Sequence, residues 1–206
     1  MTAKIDYKKQ DKALYLPKGE PVILDVPAMS FVAIEGEGDP NRPAFALETE
    51  ALYALSYAVK MSYKGSDAPA GYYDYTVYPL EGVWGLVDLT KPSTDKNNWK
   101  YTIMIRQPDF LTEDGFRYFV EKTAANKPNA PLDRLKFITM ADGPSCQMMH
   151  TGSFEEEPAS FARMEAFCAE AGYRRASRLH REIYLSDPRR TAPEKLRTVL
   201  RFAVAK

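Results

Sequence analysis

His180-Arg181-Glu182-Ile183-Tyr184-Leu185 is the stretch on which the reading of this chain turns. A β-branched and an aromatic residue at its centre favour a strand, and side chains along a strand alternate between faces. His180, Glu182 and Tyr184 therefore share one face, and Arg181, Ile183 and Leu185 share the other. The apolar pair suits a core covered by a helix, which directs Glu182 at the opposite, open face. Downstream, Val199 to Val204 reads as a further strand. Upstream, Pro158 opens a helix with Phe161, Met164, Cys168 and Ala171 on one side, after a strand from Cys146 to His150.

The same order occurs earlier in the chain. Val22 to Glu35 reads as a strand that Gly36-Glu37-Gly38-Asp39-Pro40-Asn41 breaks. Pro43 then opens a helix with Phe45, Leu52, Leu55 and Val59 on one side. Tyr72 to Tyr78, Val83 to Val87 and Tyr101 to Ile105 read as strands. Ile34-Glu35-Gly36 and Pro43-x-Phe45 correspond to His150-Thr151-Gly152 and Pro158-x-x-Phe161. Tyr75-Thr76-Val77-Tyr78 corresponds to Glu182-Ile183-Tyr184, and Tyr101 to Ile105 to Val199 to Val204. Between the two sets, Thr112 caps a helix with Phe116, Phe119, Val120 and Thr123 on one face, and Leu132 to Met140 can form a strand. The pattern predicts an α+β fold of tandem duplicated strand–helix–strand–strand modules. They would form one antiparallel sheet with helices on one face and a central ligand cleft. The chain reads as a single domain over 1–206, with a polar, loosely packed arm at 1–20. A first module spans 21–110, and a linking helix with the second module spans 111–206.

Composition narrows the function. The 28 lysines and arginines balance 28 aspartates and glutamates, so the positive excess that phosphate binding requires is missing and no direct nucleic-acid partner is expected. The arginines at 174, 175, 178, 181, 189 and 190 read as a solvated helix end and loop. Cys146, Cys168, His150 and His180 are too scattered for a zinc ligand pattern, so no metal or cofactor is expected. Two thiols without a Cys-x-x-Cys spacing suit a reducing compartment. The segment from Met1 to Lys9 has no signal-peptide core, and no window reaches the length of a membrane span. A cytoplasmic monomer or weak dimer with a small-molecule partner is expected.

The candidate catalytic residue is Glu182. A carboxylate in aromatic surroundings has a raised pKa and can receive a cation, donate a proton or activate water; alternatively it pairs with an arginine on a neighbouring strand. The chain holds 13 tyrosines, 10 phenylalanines and 2 tryptophans, enough to wall such a site with Trp84, Tyr184, Phe154, Tyr73 and Tyr75, although aromatics on strands also serve as core. Trp84 stands out because Gly82 and Gly85 flank it, and glycines let a ligand or backbone approach closely. Met148 and His150 complete the ligand-binding candidates, with methionine either lining a pocket or filling core. The run Glu155-Glu156-Glu157 precedes Pro158 and suits capping and the helix dipole; Glu155 is the member that could turn inward.

Taken together, these residues resemble the GyrI-like small-molecule-binding family over nearly the whole chain. The motifs are the Asp6-Tyr7-Lys8-Lys9 arm, Gly36-x-Gly38-Asp39-Pro40-Asn41, Tyr78-Pro79-Leu80-Glu81-Gly82-Val83-Trp84, His150-x-Gly152-x-Phe154-x-x-x-Pro158, and His180 to Arg190. The resemblance implies two modules around a cleft with Glu182 at its floor. It further implies binding of planar, apolar or cationic molecules, or hydrolysis of the cyclopropane ring of DNA-alkylating compounds. In the hydrolytic case Glu182 would be the acid/base, and Tyr184 and Trp84 would orient the ligand. Phenylalanine at 154, where the family often has tyrosine, removes a hydroxyl donor.

Overall fold

A computed structural model describes residues 4–206; Met1, Thr2 and Ala3 of the N-terminal segment lie outside the described residues. The protein is mixed α+β, with helices α1 (Tyr7–Gln10), α2 (Lys12–Tyr15), α3 (Pro43–Met61), α4 (Glu113–Ala124) and α5 (Glu157–Glu170) among the described residues. Its strands are β1 (Val22–Val26), β2 (Met29–Glu37), β3 (Leu80–Leu86), β4 (Trp99–Arg106), β5 (Lys136–Met140), β6 (Gly143–Thr151), β7 (Arg174–Arg175), β8 (His180–Tyr184) and β9 (Arg197–Ala205). All strand pairs described below are antiparallel. None of the described helices is long and apolar enough to cross a membrane.

Contacts divide the chain into two compact units, one of residues 1–6, 29–80 and 86–140, the other of 7–28, 81–85 and 141–206. In the first, β2 lies between β4 and β5, with Val32 facing Ile105 on one side and Phe137 on the other. Helix α3 covers this sheet with Leu52, Leu55 and Val59, all fully buried. Thr112 caps α4 as its spacing predicts, its hydroxyl accepting from Gly115 N at 3.1 Å. Tyr101 donates to the buried Glu48 carboxylate at 2.8 Å. Its ring passes over Gly36 so closely that a Cβ there would lie 2.5 Å from ring atoms.

In the second unit the strands run β1-β6-β9-β8-β3, with β7 also on β9. The core beneath α5 consists of Cys146, Met148, Met164, Cys168, Leu200, Phe202 and Val204. Each half of the chain sends its first strand to the other unit: β1 pairs with β6, and β5 pairs with β2. Pro27-Ala28 joins β1 to β2, and Ala141-Asp142 joins β5 to β6.

Three expectations change. Val22 to Glu35 is two strands, because Pro27 has no amide hydrogen to give a ladder. Tyr72 to Tyr78 has high strand propensity but forms only a single bridge, Tyr75 to Ile5. Its rings bury themselves instead against Phe110, with Tyr72, Tyr73 and Tyr75 all 5.0–5.9 Å from that ring. The strand that pairs with β8 is therefore Leu80–Leu86. The N-terminal arm is not loose where it is described: Tyr7 and Tyr15 are buried, edge to face at 5.1 Å.

Candidate functional site

Strand β8 alternates as its sequence predicts, and the pairing registers say which face is which. Glu182 lies opposite Leu200 on β9 and Gly82 on β3, while His180 lies opposite Trp84. Paired residues of antiparallel strands point to the same side, and Leu200 belongs to the core under α5. Glu182, His180, Tyr184 and Trp84 are thus on the helix side of the sheet, at the α5 N-terminus. The apolar pair Ile183 and Leu185 suggested the reverse.

The opposite face holds a buried charge network. Arg181, 3% exposed, donates from Nη1 to Glu81 Oε2 at 2.8 Å and forks onto Asp142 through Nε and Nη2 at 2.8 and 2.7 Å. Arg201 donates to Asp142 at 3.1 Å, to Gln147 at 3.0 Å and to the Leu14 carbonyl at 3.1 Å. Tyr15 closes the network by donating to Glu81 at 3.1 Å. Two positive and two negative charges balance, which is the condition for holding ions in low dielectric. This network fixes β8 from behind and anchors the N-terminal arm.

On the helix side, the indole Nε1 of Trp84 donates to the Tyr184 hydroxyl at 2.8 Å, which donates to Glu182 Oε2 at 2.8 Å. His180 Nε2 donates to the other oxygen, Oε1, at 2.9 Å. Such a donor chain ends most stably on an anion. Burial and the Glu182 charge push the Tyr184 hydroxyl well above its ordinary pKa, so it stays a donor at any physiological pH. The chain fits only because residue 82 is glycine: a Cβ there would lie 2.6 Å from Trp84 Nε1 and 3.2 Å from the Tyr184 oxygen. Gly82→Ala is therefore expected to displace the indole, shifting the emission of Trp84 and weakening ligand binding about tenfold or more. Comparing the variant with wild type by fluorescence, with Trp99→Phe as background, checks this.

The three glutamates before Pro158 have separate fates. Glu155 is exposed. Glu156 accepts from Ser153 N at 2.8 Å and from its hydroxyl at 3.1 Å, a reciprocal cap. Gly152 makes room for it, since a Cβ at that position would lie 2.6 Å from Glu156 Oε2. Glu157 turns inward, 6% exposed, with no donor to its Oε1. Burial pushes its carboxyl up to about 9, with further upward contributions from the Glu182 charge, a hydrogen bond to Glu182 and the Glu155 charge. Glu157 therefore keeps its proton at neutral pH, hydrogen-bonded to the carboxyl group that accepts from His180 and Tyr184. Glu157 is the residue that the sequence reading passed over in favour of Glu155.

The shift has a consequence for stability. An unfolded Glu157 ionises above about 4.5, whereas the folded one keeps its proton to about 9. Its contribution is fully present below the lower value and is lost as pH rises toward and through the upper one, by on the order of 3–4 kcal/mol at pH 7. Glu157→Gln is expected to unfold at higher temperature than wild type at pH 8 and to show a flatter dependence between pH 5 and 9. Thermal unfolding across that range measures both.

The remaining candidates separate. Phe154, 39% exposed, stands edge-on to Tyr184 at 6.1 Å and borders the carboxyl pair. His150 is buried with both ring nitrogens engaged. Nε2 donates to the Ser153 carbonyl at 2.9 Å, so Nδ1 accepts from the Ser160 hydroxyl at 2.9 Å. It secures the start of α5. Met148 lies in the core beneath α5, and Tyr73 and Tyr75 belong to the aromatic cluster of the first unit.

Comparison with known proteins finds relatives over nearly the whole chain. The GyrI-like small molecule binding domain matches residues 19–205. A structure described as a hydrolase from Listeria innocua is 38% identical, with a TM-score of 0.90 over 98% of this chain and 100% of that one. An uncharacterized conserved protein from Listeria innocua is 40% identical, with a TM-score of 0.93 over the same shares. The EcmrR C-terminal domain, 11% identical over 91% of this chain and 98% of that one, shares the fold at a TM-score of 0.55. No curated protein matches the chain. The chain belongs to the GyrI-like small-molecule-binding family.

Proposed function

We propose that the protein captures electrophilic small molecules against Trp84, Tyr184 and Phe154 and adds water to them. Glu182 acts as the base and Glu157 as the acid. The observation behind this reading is the carboxyl pair: a buried Glu157 that keeps its proton, hydrogen-bonded to a Glu182 that accepts from two donors, in an aromatic setting, suits general acid–base hydrolysis at neutral pH. The hydrolase from Listeria innocua supports it by its 38% identity along the whole chain.

A strained cyclopropane conjugated to a carbonyl suits the pair. Water oxygen bonds to a ring carbon while Glu182 takes the water proton. The ring carbon–carbon bond breaks and its electrons run to the carbonyl oxygen, which takes the Glu157 proton. Glu182 then returns its proton to Glu157 through their hydrogen bond, so the pair is reset with water added and nothing else consumed. The two buried, unpaired thiols fit a reducing compartment, and we assign the protein to the cytoplasm as a monomer or weak dimer.

A second reading, capture without turnover, is favoured by one observation. Both Glu182 oxygens already accept hydrogen bonds, from His180 and Tyr184, as they would in a receptor for planar or cationic guests. Incubation with a spirocyclopropane alkylator separates the two. Ring-opened product carrying oxygen from labelled water supports hydrolysis; saturable binding with the ring intact supports the receptor.

A further inference from the structure

We propose that His180 is a positioning residue that clamps the Glu182 carboxylate in one rotamer by donating to its Oε1, and so orients the carboxyl pair for its work. The proposal goes beyond the acid–base reading above and rests on it only for its kinetic readout.

His180 and Glu182 are two residues apart on one strand face, and Nε2 meets Oε1 at 2.9 Å. The Tyr184 hydroxyl takes Oε2 from the other side, so the carboxylate is clamped at both oxygens. The imidazole is itself held: the Phe161 ring stands edge-on to it at 4.9 Å.

The surroundings leave this role to His180. From α5, the facing titratable group is Glu157, neutral at pH 7, with Glu155 further out. On β8 itself, Tyr184 stays protonated. Strand β3 contributes Trp84, and β9 contributes Leu200 and Phe202, none of them charged. From β7, Arg175 stacks on Phe161 at 5.4 Å and on Phe202 at 4.8 Å, and its charge is met by Glu165 at 3.0 Å. His180 is therefore the side chain, among the described residues, that meets Glu182 Oε1, as Tyr184 meets Oε2. Two carboxyls sharing one proton need such a donor to settle which of them is the anion.

The test uses His180→Phe, which keeps the flat ring against Phe161 but donates nothing, and His180→Gln, whose amide N–H can reach the same oxygen. Carboxyl carbon resonances of Glu157 and Glu182 are titrated by ¹³C NMR in both variants and wild type. kcat and KM for a spirocyclopropane electrophile are measured in parallel. In His180→Phe, the ionisation assigned to Glu182 should move up by about one pH unit or more. Its kcat at pH 7 should fall about tenfold with KM changed less than about twofold. His180→Gln should recover most of both effects. A His180→Phe protein whose carboxyls titrate as in wild type overturns the proposal, as does a His180→Gln protein equally impaired. If wild type turns nothing over, the hydrolytic reading fails while the titration still decides the role of His180.

Discussion

Glu182→Gln is expected to lower turnover of a spirocyclopropane substrate by roughly 10²–10⁴-fold while leaving its binding within a few-fold of wild type. Glutamine keeps the shape of the side chain, and its carbonyl oxygen still accepts from one of His180 and Tyr184, while its amide replaces the oxygen that accepted from the other. What it removes is the negative charge and the ability to take a proton from water. Glu157 loses its anionic neighbour as well, so part of the upward push on its carboxyl disappears. A loss smaller than tenfold, measured as single-turnover product formation, would show that Glu182 is not the base. A loss of binding equal to the loss of rate would make it a ligand-holding group only.

The second large effect concerns stability. Arg181→Met leaves Glu81 and Asp142 buried beside each other with one guanidinium, that of Arg201, still in reach of Asp142. Removing one partner from a buried ion group costs about 3–5 kcal/mol, because the charge left behind has no water to solvate it. A loss of that size in the unfolding free energy, read as a lowered urea midpoint, is expected at pH 7. The double replacement Arg181→Met, Glu81→Gln should recover a good part of it, since Asp142 and Arg201 then remain as a balanced pair. Acid acts on the same network. Burial alone would raise the Asp142 carboxyl, but the charges and hydrogen bonds of Arg181 and Arg201 outweigh it and hold the carboxyl below its ordinary value. Its contribution is present above about 4 and lost as pH falls through the depressed value. The acid limb of wild-type stability should be steeper than that of Asp142→Asn.

How far the sequence could carry these conclusions differs from residue to residue. Alternation along β8 was enough to put His180, Glu182 and Tyr184 on one face, because strand periodicity is local. The flanking glycines were enough to single out Trp84, and the register shows Gly82 directly opposite Glu182. Which face looks toward α5 was not legible. Ile183 and Leu185 are apolar, but the charges on their side, Arg181 and Glu81, are neutralised by Asp142, Arg201 and Tyr15 from distant parts of the chain. Burial of an ion network leaves no periodic trace. Glu157 was hidden for a related reason: in a run of three glutamates before a proline, any member suits the helix dipole. Only the capping of Ser153 by Glu156 and the docking of α5 against β8 decide which one turns inward. The strand from Leu80 to Leu86, interrupted by two glycines, was outweighed on propensity by the tyrosine-rich segment before it, whose rings pack around Phe110.

Whether Glu157 is a neutral acid beside an ionised Glu182 can be read directly by infrared difference spectroscopy during a pH titration of the intact protein. A carbonyl band from a protonated carboxylic acid should be present at pH 7, fade only as pH approaches 9, and be absent from Glu157→Gln. No such band at pH 7, or one that persists unchanged in Glu157→Gln, contradicts the account.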